Sequence, residues 1–264
     1  MQKRLMMIGL CSAAIITSIS ILADHVGREA QSWFAGVGLG FEKLFFENRT
    51  NTLLETLPPP QPDIFTLSNV TAANGLVSVD VGHQWRLTPY ARFNVFMEYD
   101  HFSSFSPTGT RAAFGYQPSS FFYSPSQYGY TLEHQALLFG AKVDFAQWHQ
   151  LMPYFEGGMG VSRNALSDFN NTITASSGLS GPITPFPNHV NYALAFMLGT
   201  GVDVLLQNHW FLTFGYRFGD WGNVQSGNVT TIPSPPGGSL SPIRLSNALY
   251  SNQALMRLSY SFSG

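Results

Sequence analysis

Eight stretches in which apolar and polar residues alternate are joined by connections that also alternate, long then short, through the whole chain. The stretches lie near 33–42, 76–86, 90–101, 131–145, 153–162, 191–205, 210–219 and 250–262. Short joints fall at 86–89, 146–152 and 206–209, and long ones at 43–75, 102–130, 163–190 and 220–249. A tight turn joins only antiparallel neighbours. An even number of strands with every short turn at one end brings both termini back to that end, which is the layout of an up-and-down transmembrane barrel. The expected fold is therefore all-β: an eight-stranded antiparallel barrel with short periplasmic turns and four long extracellular loops.

Alternation sorts the side chains onto two faces. One face carries Trp33, Ala35, Val37, Leu39 and Phe41, then Ala91, Phe93, Val95, Met97 and Tyr99. Further along it carries Leu137, Phe139, Ala141, Val143 and Phe145, then Leu212, Phe214, Tyr216 and Phe218, and finally Ala254, Met256, Leu258, Tyr260 and Phe262. None of these is charged. The opposite face collects Glu42, Asp80, Arg92, Glu98, Asp100, Lys142, Asp144, Glu156, Asp203, Arg217 and Arg257. A charge on the lipid face at the bilayer midplane costs up to about 2–4 kcal/mol, so this sorting is what insertion demands. A soluble sandwich would reverse it, with the apolar face inside.

Composition and the N-terminus favour the membrane. Charged residues are 11% of the chain and aromatic ones 14%, whereas a water-soluble domain carries about a quarter charged residues. Lys3 and Arg4 followed by the apolar stretch Leu5–Leu22 read as an export signal ending near Ala23, leaving 24–264 as one barrel domain. Beyond it no apolar run reaches the roughly 20 residues of a spanning helix, while each stretch matches the roughly 9–11 of a tilted spanning strand. The single cysteine, Cys11, lies in the signal behind Leu10, which argues against lipidation and leaves no thiol chemistry. The chain has 15 acidic and 13 basic residues, two of the latter in the signal, so no nucleic-acid partner is expected. The histidines lack ligand spacing, and neither metal nor cofactor is expected.

Aromatic residues gather near the strand ends, where ring and headgroup suit each other. Trp33, Trp85, Tyr90, Phe145, Trp148, Trp210 and Phe262 mark the short-turn end, and Tyr99, Tyr192, Phe218 and Trp221 the long-loop end, as two girdles. Glycines crowd the charged face at Gly36, Gly38, Gly40, Gly158, Gly160, Gly199 and Gly201, where small residues let strands curve.

Trp33-Phe-Ala-Gly-Val-Gly-Leu-Gly-Phe41 resembles the opening strand of the small outer-membrane β-barrel family, which includes the transmembrane domain of outer-membrane protein A and the outer-membrane protein X and Opa types. Pro153–Val161, Leu212–Phe218 and Leu255–Phe262 resemble its fifth, seventh and last strands. The resemblance implies the bacterial outer membrane, both termini in the periplasm, and recognition of the last strand by the barrel-assembly machinery. It also implies a salt-bridged plug through the lumen.

Eight strands make a barrel just wide enough for side chains to fill, so the inner charges must pair or meet internal water. The first functional reading is a structural or surface-interaction barrel, adhesin-like and without enzymatic activity. Its neighbours would be membrane lipid and lipopolysaccharide, and its long loops, rich in Ser, Thr, Asn and aromatic residues, would meet a host surface or glycan. The second is a narrow pore for ions or small solutes. The third is a lipid A deacylase, for which His101, Ser103 and Glu133 on the outer rim offer a base, a nucleophile and an acid.

Overall fold

The computed structural model describes residues 31–47, 50–54, 62–69, 73–88, 90–117, 120–145, 147–173, 186–206, 209–228 and 244–263; the expected signal 1–23 lies outside them. Its strands are β1 (Gln31–Phe46), β2 (Thr50–Leu54), β3 (Pro62–Asn69), β4 (Ala73–Thr88), β5 (Ala91–Phe102), β6 (Thr108–Gln117), β7 (Ser120–Asp144), β8 (Leu151–Ile173), β9 (His189–Leu205), β10 (Trp210–Gln225) and β11 (Ser246–Ser263). Eight of them pair in the order β7-β5-β4-β1-β11-β10-β9-β8, and β8 pairs back onto β7 from Asp144↔Tyr154 to Ser126↔Ile173. The ring is closed and antiparallel throughout, which removes the exposed edges an open sheet would present. The eight-stranded wall is the one expected. Left-handed backbone at His149 and His209 turns the chain in two of the short joints.

The long connections differ from expectation. Segment 43–75, read as a loop, contains the hairpin β2–β3, and 102–130 contains β6 and the first eleven residues of β7. β3 pairs with β6 and β6 with β7, so above β1, β4 and β5 the wall continues as β2, β3 and β6. Asn51 Nδ2 donates to Asn247 Oδ1 at 2.9 Å, bringing β2 against β11. This outer tier has a core of its own, with Phe65, Phe102, Phe105, Tyr128, Tyr130, Leu132, Leu245 and Leu249 all buried. The aromatics Phe102, Phe105 and Tyr128 of segment 102–130 fill the tier. The overlooked signal was a short run of alternation at Tyr128, Tyr130 and Leu132, hidden among the Gly, Ser and Pro of 102–130.

The wall is apolar outside and charged inside. Phe41, Phe139 and Leu198 are 69%, 63% and 68% exposed, whereas Glu98, Asp100 and Arg217 are at 0%. Trp33, Tyr90, Trp148, Trp210 and Phe262 stand exposed at the short-turn end, Phe145 lies beside Phe155 and Trp85 is half-buried; Tyr99, Tyr192 and Phe218 are exposed toward the other end. Trp221 is a correction. It is fully buried, donates from its indole to Ser251 Oγ at 2.8 Å, and packs against Phe102 and His134. Alternation explains it, because Trp221 is in phase with the inward Arg217 and Gly219, and Gly219 leaves the space its ring occupies.

Glycine lets the strands curve tightly where the barrel is narrow. A Cβ at Gly160 would run into the Leu137 carbonyl across the β7–β8 seam, and that neighbour is backbone, which has nowhere to go. Gly160→Val is expected to cost at least about 1–3 kcal/mol by overpacking and to remove the compact, heat-modifiable band of the folded barrel on a detergent gel. Burial also holds the Tyr128 phenol above its ordinary pKa, and burial together with the neighbouring Tyr128 does the same for Tyr130. The unfolded chain then ionises first, so stability is intact below the ordinary tyrosine pKa of about 10 and falls as pH rises beyond it. Phenolate absorbance of the folded protein should lag that of the urea-unfolded chain on alkaline titration.

Candidate functional site: the charged lumen

Side chains pointing inward from eight strands meet along one axis, and the charged ones fall into three levels. At the short-turn end, Arg92 from β5 lies 3.3 Å from Asp144, and Lys142 from β7 donates to Asp203 of β9 at 2.7 Å. Thr213 Oγ1 donates to the other Asp203 oxygen at 2.6 Å, and Asn94 Nδ2 to Asp144 at 3.0 Å. The Arg92 guanidinium stacks over Phe211 at 4.3 Å. A cavity of about 20 Å³ remains among these groups, room for about one water.

The middle level is a clamp. Arg217 from β10 donates to Glu156 Oε1 at 2.6 Å and, through both terminal nitrogens, to Glu98, with Nη2–Oε2 at 2.9 Å. Arg257 from β11 donates to the same Glu98 Oε2 at 2.7 Å and lies 3.3 Å from Asp80. Asp100 lies 3.8 Å from Arg217. Five strands, β4, β5, β8, β10 and β11, are thus tied across the lumen by two guanidiniums. The forked donors of arginine suit a shared carboxylate in a way that a lysine's single ammonium would not.

At the outer level His134 Nε2 lies 3.0 and 3.2 Å from the two oxygens of Glu42. The imidazole stacks on Phe102 with centroids 3.7 Å apart, and Trp221 closes it from above. His134 was missed in the sequence because its spacing was tested only for metal ligation. Its phase with the inward Ala136 and Leu138 was the signal available. All eleven inner charges read from the sequence face the lumen, ten of them buried and Lys142 nearly so.

The rim residues His101, Ser103 and Glu133 do lie on the exterior face, all exposed. They do not assemble into a nucleophile and base. Ser103 Oγ accepts the Gly75 amide at 2.8 Å and donates to the Gly75 carbonyl at 3.3 Å, and among the described residues it has no bond to His101. His101 instead stands opposite Val77 on one side and Gln135 on the other.

An apolar belt outside and ion pairs inside is the arrangement with which strand barrels cross the bacterial outer membrane, and this chain shares it. No protein-family model matches the chain, and no curated protein matches it. Among solved structures it is similar to Neisserial surface protein A, at 13% identity over 89% of this chain and 100% of that one, TM-score 0.42. It is similar also to outer-membrane protein OprG from Pseudomonas aeruginosa, at 11% identity over 90% and 99%, TM-score 0.43. A third is the outer-membrane protease OmpT from Escherichia coli, at 7% identity over 88% and 97%, TM-score 0.47. The expectation that the chain lacks enzymatic activity is corrected here: an outer-membrane protease stands among the structures it is similar to.

Removing one arginine from the clamp leaves buried carboxylates without a counter-charge. Arg217→Met is expected to lower stability by about 3–5 kcal/mol, read from urea unfolding of the barrel refolded in lipid vesicles.

Proposed function

We propose that this barrel is a closed wall element of the outer membrane whose work is done at its outer surface and not through its lumen. The observation that carries the reading is the Glu98 carboxylate held between Arg217 and Arg257 at the centre of the barrel, with all three side chains buried. A solute crossing there would have to break at least two charge-assisted pairs whose partners have no solvent to turn to, which makes the clamp a plug. The aromatic core of the outer tier stands above it as a second, dry obstruction.

The outer tier turns Phe65, Phe105, Tyr128 and Tyr130 inward and offers Thr50, Thr52, Ser68, Thr108, Thr110, Gln127, Asn170, Asn188 and Asn223 to the outside. Hydroxyl and amide groups with little charge suit hydrogen bonding to sugar, either the lipopolysaccharide around the barrel or glycan on a host surface. In this orientation both termini lie in the periplasm, and the last strand, whose final aromatic is Phe262, is the segment that the assembly machinery reads.

Planar-bilayer recording of the refolded protein tests the plug. The wild type is expected to show no steady conductance, and Arg217→Ala, which breaks the clamp, brief openings. Stable open channels in the wild type would overturn the reading.

A further inference from the structure

The lipid-facing wall is not evenly filled. On the outer half of β10, β11, β1, β4 and β5 it contains a groove of about 780 Å³, within the range of roughly 300–1,000 Å³ typical of small-molecule sites. Its origin is in the register. Phe41 of β1 is flanked by Gly75 on β4 and Ala254 on β11, so nothing fills the wall on either side of the ring. Leu39, Val77 and Met256 form the apolar floor one step toward the membrane centre. Elsewhere the wall carries large residues such as Tyr192 and Leu194 at 70% and 69% exposure.

The outer end of the groove is polar. His101 of β5 and Ser103, just beyond its end, line it. Lys43 lies two residues beyond Phe41 on the same strand face, a step of about 7 Å, exposed and with no ion pair among the described residues. Glu47, further out, accepts a hydrogen bond from the Tyr250 hydroxyl at 3.3 Å.

We infer that this groove binds one phosphorylated lipid of the outer leaflet, its acyl chains lying beside Phe41 and its phosphate at Lys43. The inference rests on the barrel standing in the outer membrane, where the only apolar matter against this face is acyl chain. Charge complementarity selects the lipid: an exposed cation where the apolar belt ends favours an anion at headgroup height, and a lipid phosphate supplies it. His101 and Ser103 add polar contacts from the adjoining strand and just beyond its end.

Native mass spectrometry of the full refolded protein in non-ionic detergent tests the site with three probes: phosphatidic acid, diacylglycerol with the same chains, and inorganic phosphate. Phosphatidic acid should be retained about five-fold better than diacylglycerol, the share one lysine contributes near a membrane surface, and inorganic phosphate not at all. Lys43→Gln should remove that preference and Lys43→Arg keep it. Ala254→Phe, which fills the groove, should abolish retention of both lipids. Equal retention of the two lipids, retention of inorganic phosphate alone, or lipid binding untouched by Ala254→Phe would each overturn the site. Every protein is also run unboiled on a detergent gel. A wild type without a compact heat-modifiable band would strike at the barrel reading, not at the lipid site.

Discussion

Hydrocarbon offers no partner to a backbone amide, and every unsatisfied group costs several kcal/mol there. The rest of this structure answers that constraint. The β7–β8 seam closes the ladder into a ring, the ring turns one face of every strand toward lipid, and that face must be apolar. Whatever charge the chain carries along its strands is then driven inward, into a space only eight strands wide. The ion pairs of the lumen are a consequence of closure, and so is the demand for glycine wherever the wall bends hardest.

Once enclosed, the charges have little choice of partner. Seven carboxylates and four basic side chains share the lumen with His134, and the pairing concentrates on the few groups that can serve several neighbours at once. Arg217 reaches three acids and Glu98 is reached by two arginines. Such sharing ties together strands far apart in sequence, β5 to β10 and β11. It also means that no pair in the clamp can be replaced independently of the next.

The wall and its lining were legible because alternation reports burial directly. Once Val37 and Leu39 are outside, Glu42 is inside with no further assumption, and the same holds around the ring. What alternation could not convey was height. The outer tier is built of strands no less regular than those of the wall, but its inside is dry and its outside wet, the reverse of the belt below. A search for apolar outward faces therefore passed over β2, β3 and β6. Trp221 and His134 were lost for a related reason: each was judged by residue type, as a girdle aromatic and as a ligand, when its phase on the strand already placed it inside. The lipid-facing groove was beyond sequence reading, since it arises from Gly75 and Ala254 coming level with Phe41 on strands that only the register brings together.

Gly222 has a positive φ of 68° and stands where the register of β10 against β11 shifts between Asp220 and Asn223. It is one residue more than its partner strand requires. Below it odd-numbered residues of β10 face the lumen, and above it Val224 and Ser226 do. The surplus residue resets the phase of β10 alone: β1, β7 and β11 keep theirs to the same height, with Phe46, Tyr128 and Leu249 buried in step with Glu42, Leu138 and Arg257. Lipid dictates which residues point outward below it; above it β10 alone changes which of its residues enter the core, so that Val224 packs there while β7 and β11 hold their count.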